Sequence, residues 1–366
     1  MTLFKSLLLA LALVLPLSAA AQGKATEYVY TEAAQLTLVG KVFTDTPNPY
    51  HRIDTAAFHG FTSHEIRLLQ NSAGVAVAFS TDSPSITVVA EYGYKSYSLN
   101  SNAFMARGFD LYIRDGGQWL WAASGVPDDK VSGKPLKLIS NLPEGNKECL
   151  LYLPGFSEIL SLKIGVKEEA AIEPLPNPFR HRVAVFGSSF TQGAACSKAG
   201  MAYPSILSRE TGIQFLNLGV SGRCKLQDYF AAALSAAPDV DAFLFDTFSN
   251  PEPREIEERL IPFIEAVQKA HPGKPLIFQQ TIYRERGNFD TYNRKWDADR
   301  IALVAKMMKD ACKKYDDVYF LECTNATSPD HYTSVDGTHP GDYGYTLWAR
   351  SIKKPVLRIL RKYGIK

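Results

Sequence analysis

Two textures of apolar and polar positions divide the chain. From residue 22 to about 172, short apolar runs alternate with turn signals. The runs are Val75–Phe79, Ile86–Ala90, Phe109–Ile113, Trp119–Trp121 and Cys149–Leu153. Between them lie Asp82-Ser-Pro84, Arg114-Asp-Gly-Gly117 and Pro143-Glu-Gly145. Short runs of this kind at regular spacing predict the strands of a β-sandwich. No strong helical period stands out in this stretch.

The segment Glu173-Pro-Leu-Pro-Asn-Pro178 breaks the pattern, because three prolines in six residues continue neither a helix nor a central strand. It predicts a linker, with one domain over residues 22–175 and a second over 176–366. After it, strand-like and helix-like segments alternate. The strands are expected at Val183–Phe186, Phe215–Leu218, Ala242–Phe245, Leu276–Phe278 and Val318–Leu321. The helices are expected at Tyr203–Arg209, Leu226–Ala236, Pro253–Ala270, Asp297–Lys314 and Tyr343–Tyr363. Pro253 opens its helix where a missing N–H costs nothing. This order predicts an α/β domain whose parallel sheet is covered on both faces.

Length and composition narrow the classes. A chain of 366 residues suits two domains. The net charge of +2 gives no field that favours nucleic acid or an anionic membrane, so no nucleic-acid partner is expected. Lys5, the apolar run Ser6–Leu15 and Ala19-Ala20-Ala21 before Gln22 predict a signal peptide over residues 1–21 and export to the periplasm or cell exterior. That run is shorter than the roughly 20 residues of a membrane span, and no later segment is expected to span a bilayer. The five cysteines, Cys149, Cys196, Cys224, Cys312 and Cys323, leave at least one unpaired. Cys196 and Cys224 follow neighbouring loops, so they either pair or stay as buried thiols.

Sites in open parallel sheets form beyond the carboxyl ends of the strands. Four loops there carry chemistry. Gly187-Ser-Ser-Phe-Thr-Gln-Gly193 follows the first strand and offers Ser188 or Ser189 as a hydroxyl at the sheet edge. It lacks the lysine of a P-loop and the spacing of a nucleophile elbow. Asn217-Leu-Gly-Val-Ser-Gly222 has glycines that free N–H groups to face a ligand. Asp246-Thr-Phe-Ser-Asn250 places a side-chain amide where an oxyanion can develop. Ser334-Val-Asp-Gly-Thr-His339-Pro340 sets Asp336 three residues before His339, so the carboxylate can orient one imidazole nitrogen and leave the other free. Asp330, His331, Asp336 and His339 together also admit a metal site, although no zinc framework of helix or Cys/His spacing accompanies them.

In this order the four loops resemble the SGNH hydrolase (GDSL esterase) superfamily over about residues 180–366, and Asp336-Gly-Thr-His339-Pro340 is the most specific piece. The resemblance implies a flavodoxin-like domain with Ser189 as nucleophile, His339 as base and Asp336 as its orienter. It further implies an oxyanion hole made of the Ser189 and Gly222 N–H groups and the Asn250 amide, with no metal and no cofactor. Ser188 stands where the family often has Asp, and the third block reads Phe248-Ser-Asn250-Pro251. Asn217 is an alternative to Asn250 on the neighbouring loop.

Gly108-Phe-Asp-Leu-Tyr112 resembles the Gly-x-Asp-Leu-Tyr signature of β-rich domains that precede SGNH domains in exported bacterial proteins. By themselves these residues predict a strand with Phe109, Leu111 and Ile113 on one face. The combined resemblance implies an esterase acting on a small-molecule or glycan ester, such as an acetylated carbohydrate. Two other readings use the same residues. One is a carbohydrate-binding protein with an inactive hydrolase-like domain, its sugars stacked on Trp119, Trp121, Tyr92, Tyr94 and Tyr97. The other is an acyltransferase.

Overall fold

Alternating burial along the strands builds the N-terminal part. The computed structural model describes residues 27–128 and 133–366, so the expected signal peptide over 1–21 lies outside the described residues. In chain order the first elements are β1 (Tyr28–Glu32), β2 (Thr37–Val39), α1 (Ser63–Leu69), β3 (Ala76–Thr81), β4 (Ile86–Tyr92) and α2 (Ala103–Arg107). They continue with β5 (Phe109–Asp115), β6 (Gln118–Gly125), β7 (Leu136–Ile139), β8 (Lys147–Tyr152), β9 (Ile159–Lys167) and β10 (Ile172–Pro174). One antiparallel sheet has the order β1-β9-β4-β7, and the other has β10-β3-β8-β5-β6 with β2 beside β3. Val77, Phe79, Leu111 and Leu151 of the second sheet meet Ile86, Val88, Leu162 and Ile164 of the first. This is the expected sandwich.

The intervening residues of the larger sheet, Ala76, Ala78, Tyr112 and Leu150, face the other way into a core shared with the C-terminal part. That part contains β11 (Arg180–Gly187), α3 (Ser189–Gln192), α4 (Tyr203–Thr211), β12 (Ile213–Gly219), α5 (Asp228–Ser235) and β13 (Ala242–Asp246). It ends with α6 (Pro253–Ala270), β14 (Leu276–Gln279), α7 (Thr291–Lys314), β15 (Val318–Leu321) and α8 (Asp342–Lys362). The sheet order is β12-β11-β13-β14-β15, all parallel. Counted within the sheet this is the flavodoxin-like order, which parts its loops at a switch point beside the first strand. Val183, Val185, Leu244 and Ile277 pack with α4 and α8 on one face. Ala184, Phe186, Phe243, Phe245 and Phe278 pack with α5, α6 and α7 on the other.

Four local differences have physical causes. Thr62 and Glu65 form a capping box that starts α1 in a region where no helix was expected, and its Thr-x-x-Glu signature was present in the sequence. The expected linker begins as β10, whose Pro174 sits on the sheet edge opposite Phe79, where a missing N–H is tolerated. Helix α7 starts at Thr291, not Asp297, because the Asp290 carboxylate caps the Asn293 N–H at 3.0 Å. Cys196 and Cys224 do not pair: Cys196 lies in the core on one face of the parallel sheet and Cys224 in the core on the other. Among the described residues no helix is long and apolar enough to cross a membrane.

Candidate active site

The site grows from the end of β11. A Cβ on Gly187 would come within 2.0 Å of Thr191 Oγ1, so only glycine lets the chain turn there into α3. Ser188 caps that turn. Its hydroxyl accepts the Phe190 N–H at 3.1 Å and donates to Asp246 Oδ2 at 2.7 Å, fully buried. Asp246 also takes the Ser188 N–H and the hydroxyls of Thr191 and Ser249. Burial pushes its carboxyl upward, and these bonds oppose the shift. The adjacent serine is placed differently: Ser189 Oγ faces the cleft, 2.9 Å from His339 Nε2.

His339 is held by its own loop. A bridge pairs Ser334 with Pro340, and the Val335 N–H donates to the His339 carbonyl at 2.9 Å. Inside that turn, Asp336 Oδ1 accepts the N–H groups of Thr338 and His339 at 2.9 and 2.7 Å. Its Oδ2 lies 2.8 Å from His339 Nδ1. Burial alone would raise the Asp336 carboxyl; the His339 N–H, the imidazole and the Thr338 N–H outweigh it and hold the group at about 2. An ionised Asp336 keeps the proton on Nδ1 and leaves Nε2 free to accept from Ser189.

A residue outside the parallel-sheet domain completes this arrangement. Asn100, from the loop between β4 and α2, donates its amide to Asp336 Oδ2 at 3.2 Å. Its nitrogen also lies 3.3 Å from His339 Nδ1, a contact without a shared proton while Nδ1 is protonated. Ser98 fixes the amide by donating to Asn100 Oδ1 at 2.7 Å. No sequence signal marks Asn100, because a short polar loop reads as a turn and nothing else. Arg52 escapes notice for the same reason. Fully buried, it donates to the carbonyls of Asn71, Leu68, Asn217 and Gly219 at 2.8, 2.5, 3.3 and 2.8 Å. It thereby pins the N-terminal part to the base of the 219–222 loop.

On the other side of Ser189 a cleft of about 350 Å³ is bounded by Gly222, Asn250, Arg284, Trp296, Arg300 and Thr338, among others. Gly222 adopts φ +69°, a left-handed conformation suited to glycine. Among the described residues neither the Ser189 nor the Gly222 N–H has an acceptor inside the protein. Asn250 borders the same cleft, and its Oδ1 is buried without a hydrogen-bond partner among the described residues. Asn217 is elsewhere: it donates to the Thr191 carbonyl at 2.6 Å and accepts the Gly219 N–H at 2.9 Å. That spends its amide behind the loops and removes it as the alternative to Asn250. Asp330 and His331 do not join Asp336 and His339. Asp330 accepts from Ser328 and His331 lies against the Tyr283 ring. Among the described residues no group of three or more His, Cys, Asp or Glu gathers as a metal would require.

A second cavity of about 470 Å³ adjoins the first at Ser221 and is bordered by Tyr94, Tyr97 and Asn100. Trp121 is not there: on β6, its indole N–H donates to Asp110 Oδ1 at 3.1 Å. Trp119 packs partly against the shared core. Of the five candidate stacking aromatics, Tyr94 and Tyr97 therefore border the cavity that adjoins the Ser189 cleft.

Comparisons with known proteins identify the family and the fold. Residues 180–358 match the GDSL-like lipase/acylhydrolase family, and residues 26–172 match the N-terminal GxDLY domain of SGNH-type esterases. A GDSL-like lipase from Bacteroides ovatus is 37% identical over 92% of this chain and 98% of its own, with a TM-score of 0.86. A salicylyl-acyltransferase from a tetracycline biosynthetic pathway shares 18% identity over 91% of this chain and 97% of its own, at a TM-score of 0.70. A family two carbohydrate esterase from Cellvibrio japonicus shares 12% over 92% of this chain and 99% of its own, at 0.57. The last two show a common fold. Among curated proteins none matches the chain. With a serine hydroxyl on an oriented imidazole, at the switch point of a flavodoxin-like sheet, and with both domain matches in hand, the chain belongs to the GDSL-like lipase/acylhydrolase family and is an SGNH-type ester hydrolase.

Proposed function

We propose that this protein is an exported serine esterase that removes short acyl groups, acetyl above all, from carbohydrate through an acyl-serine intermediate. A signal peptide over 1–21 directs export, residues 22–175 form the accessory domain and residues 176–366 the hydrolase domain. The observation that carries the reading is the 2.9 and 2.8 Å succession from Ser189 through His339 to Asp336.

His339 Nε2 takes the Ser189 proton as the hydroxyl oxygen attacks the ester carbonyl. The tetrahedral oxyanion is met by the N–H groups of Ser189 and Gly222 and by the Asn250 amide. Each such donor is worth about 3–4 kcal/mol in hydrolases where it has been removed. Asp336 stabilises the imidazolium, and His339 then gives its proton to the leaving alcohol. Water attacks the acyl-serine by the same route. Carbohydrate as the alcohol rests on the adjoining cavity, where the exposed rings of Tyr94 and Tyr97 offer faces on which a sugar can stack.

The test is a screen of acetylated oligosaccharides and 4-nitrophenyl esters, with intact-protein mass spectrometry during turnover. A mass gain of one acyl group on the wild type, absent in Ser189→Ala, is expected. Turnover with an unmodified Ser189 refutes the covalent route. Transfer of the acyl group to an added sugar in preference to water would identify an acyltransferase. Glycan binding without turnover would identify the inactive, carbohydrate-binding alternative.

A further inference from the structure

The cleft beside Ser189 carries more positive charge than the fold needs. Arg284 and Arg300 are almost fully buried and Arg286 is half-buried, and all three border the cleft. One carboxylate pairs with them directly, and the Ser249 carbonyl accepts Arg284 Nη2 at 2.7 Å and Arg300 Nη1 at 3.1 Å. Asp297 Oδ1 takes Arg284 Nη1 at 2.7 Å and Arg300 Nη2 at 2.6 Å, while Arg286 Nη2 stays 3.7 Å from Oδ2. The other nearby carboxylates are occupied or outside. Asp246 is spent on Ser188, Thr191 and Ser249. Glu285 accepts from Thr333 and Ser334, and Glu252 is exposed at the start of α6. No Asp or Glu borders the cleft. The Nε atoms of all three arginines are buried without an acceptor among the described residues. Burial, then the like charge of Arg284, pulls the Arg300 guanidinium down to about 9. Asp246 attracts Arg284 and Glu252 attracts Arg300 from farther away, yet three guanidiniums share one directly paired carboxylate, and an under-compensated buried charge is costly.

We propose that Arg284, Arg286 and Arg300 form a subsite for a carboxylate borne by the alcohol half of the ester, so that the substrate is an acylated acidic sugar. The inference rests on the esterase reading above. The alcohol half is chosen because the Arg286 N–H donates to the Gly337 carbonyl at 2.8 Å. That places the cluster against the loop of His339, which returns the proton to the leaving alcohol. Guanidinium and carboxylate make strong charge-assisted pairs where water is excluded. Arg67 and Lys95 on the adjoining cavity, which also lacks Asp and Glu, extend the positive field along the path of a polyanion.

The test compares isosteric esters: 3-acetoxybenzoate against 3-acetoxybenzamide. Wild type is expected to favour the anion in kcat/KM by about tenfold at low salt. The ratio should fall toward one in Arg286→Gln and recover in part in Arg286→Lys. Reading a ratio cancels any general loss of activity. If both esters are hydrolysed equally, or if Arg286→Gln keeps the ratio, the subsite is overturned. A matched pair with the charge on the acyl side, 4-nitrophenyl hydrogen adipate against 4-nitrophenyl hexanoate, is expected to show no preference. A preference there instead overturns the assignment to the alcohol. If no ester is hydrolysed, the esterase reading falls, and calorimetric titration with benzoate against benzamide decides the subsite separately. Benzoate binding lost in Arg286→Gln supports it, and equal failure of both ligands overturns it.

Discussion

Replacing each of the two adjacent serines with alanine should separate stability from catalysis. Ser188 Oγ caps α3 by accepting the Phe190 N–H and donates to the buried Asp246 carboxylate at 2.7 Å. Loss of a helix cap costs about 1 kcal/mol, and loss of a hydrogen bond to a charged group about 1.5–3 kcal/mol. Asp246 keeps its bonds from the Ser188 N–H, Thr191 and Ser249, so the cost should not run higher. Ser188→Ala is therefore expected to lose roughly 2–4 kcal/mol, a melting shift of roughly 5–15 °C at the 2–4 °C per kcal/mol of a domain this size. Its turnover of 4-nitrophenyl acetate, per folded molecule, should stay within about tenfold of wild type, because Ser188 Oγ points away from the cleft. Ser189 Oγ makes one side-chain bond, to His339. Ser189→Ala should change stability by less than about 1 kcal/mol and cut turnover by a factor on the order of 10³–10⁶. Denaturant titration and initial rates on the same preparations read both quantities. A folded Ser188→Ala protein without turnover, beside an active Ser189→Ala protein, would reverse the two roles.

Asn100→Ala should lower kcat roughly 5–50-fold with little change in KM, since it removes a bond to the Asp336–His339 pair and no expected substrate contact; an unchanged kcat refutes the role of the N-terminal domain in the site. Arg52→Met should cost about 2–4 kcal/mol, because four carbonyls each lose one donor while the burial that draws this guanidinium down to about 9 is relieved. Wild-type stability in urea would refute it. The Asp336 carboxyl is held at about 2, below its ordinary value near 4. Its stabilising contribution is therefore present above pH 4 and lost as pH falls toward 2. Asp336→Asn should be less stable than wild type at neutral pH, and the gap should close over that acid window. A gap that persists at pH 2 contradicts the origin of the shift.

The candidate site was legible where its parts lie in one loop each. Asp336 and His339 are three residues apart, and local backbone geometry is enough to join them. Ser189 required the strand-and-helix order, which implied that the ends of β11 and β15 open on one sheet edge. Choosing it over Ser188 by chemistry required the Asp246 carboxylate, 58 positions away. The same holds for Asn250 over Asn217, whose amide is consumed by the Thr191 carbonyl.

Periodicity and turn chemistry thus determined the individual strands, helices and reactive loops, because each depends on neighbours within about twenty residues, and the order of those elements implied the sandwich and the parallel sheet. Long-range packing alone decided the rest. It set Cys196 and Cys224 on opposite faces of the sheet and brought Asn100 across 236 positions to Asp336. It buried Arg52 against carbonyls of both halves of the chain and gathered three arginines around Asp297. A polar or charged side chain has no period of its own, so its partner is known only once the chain has folded.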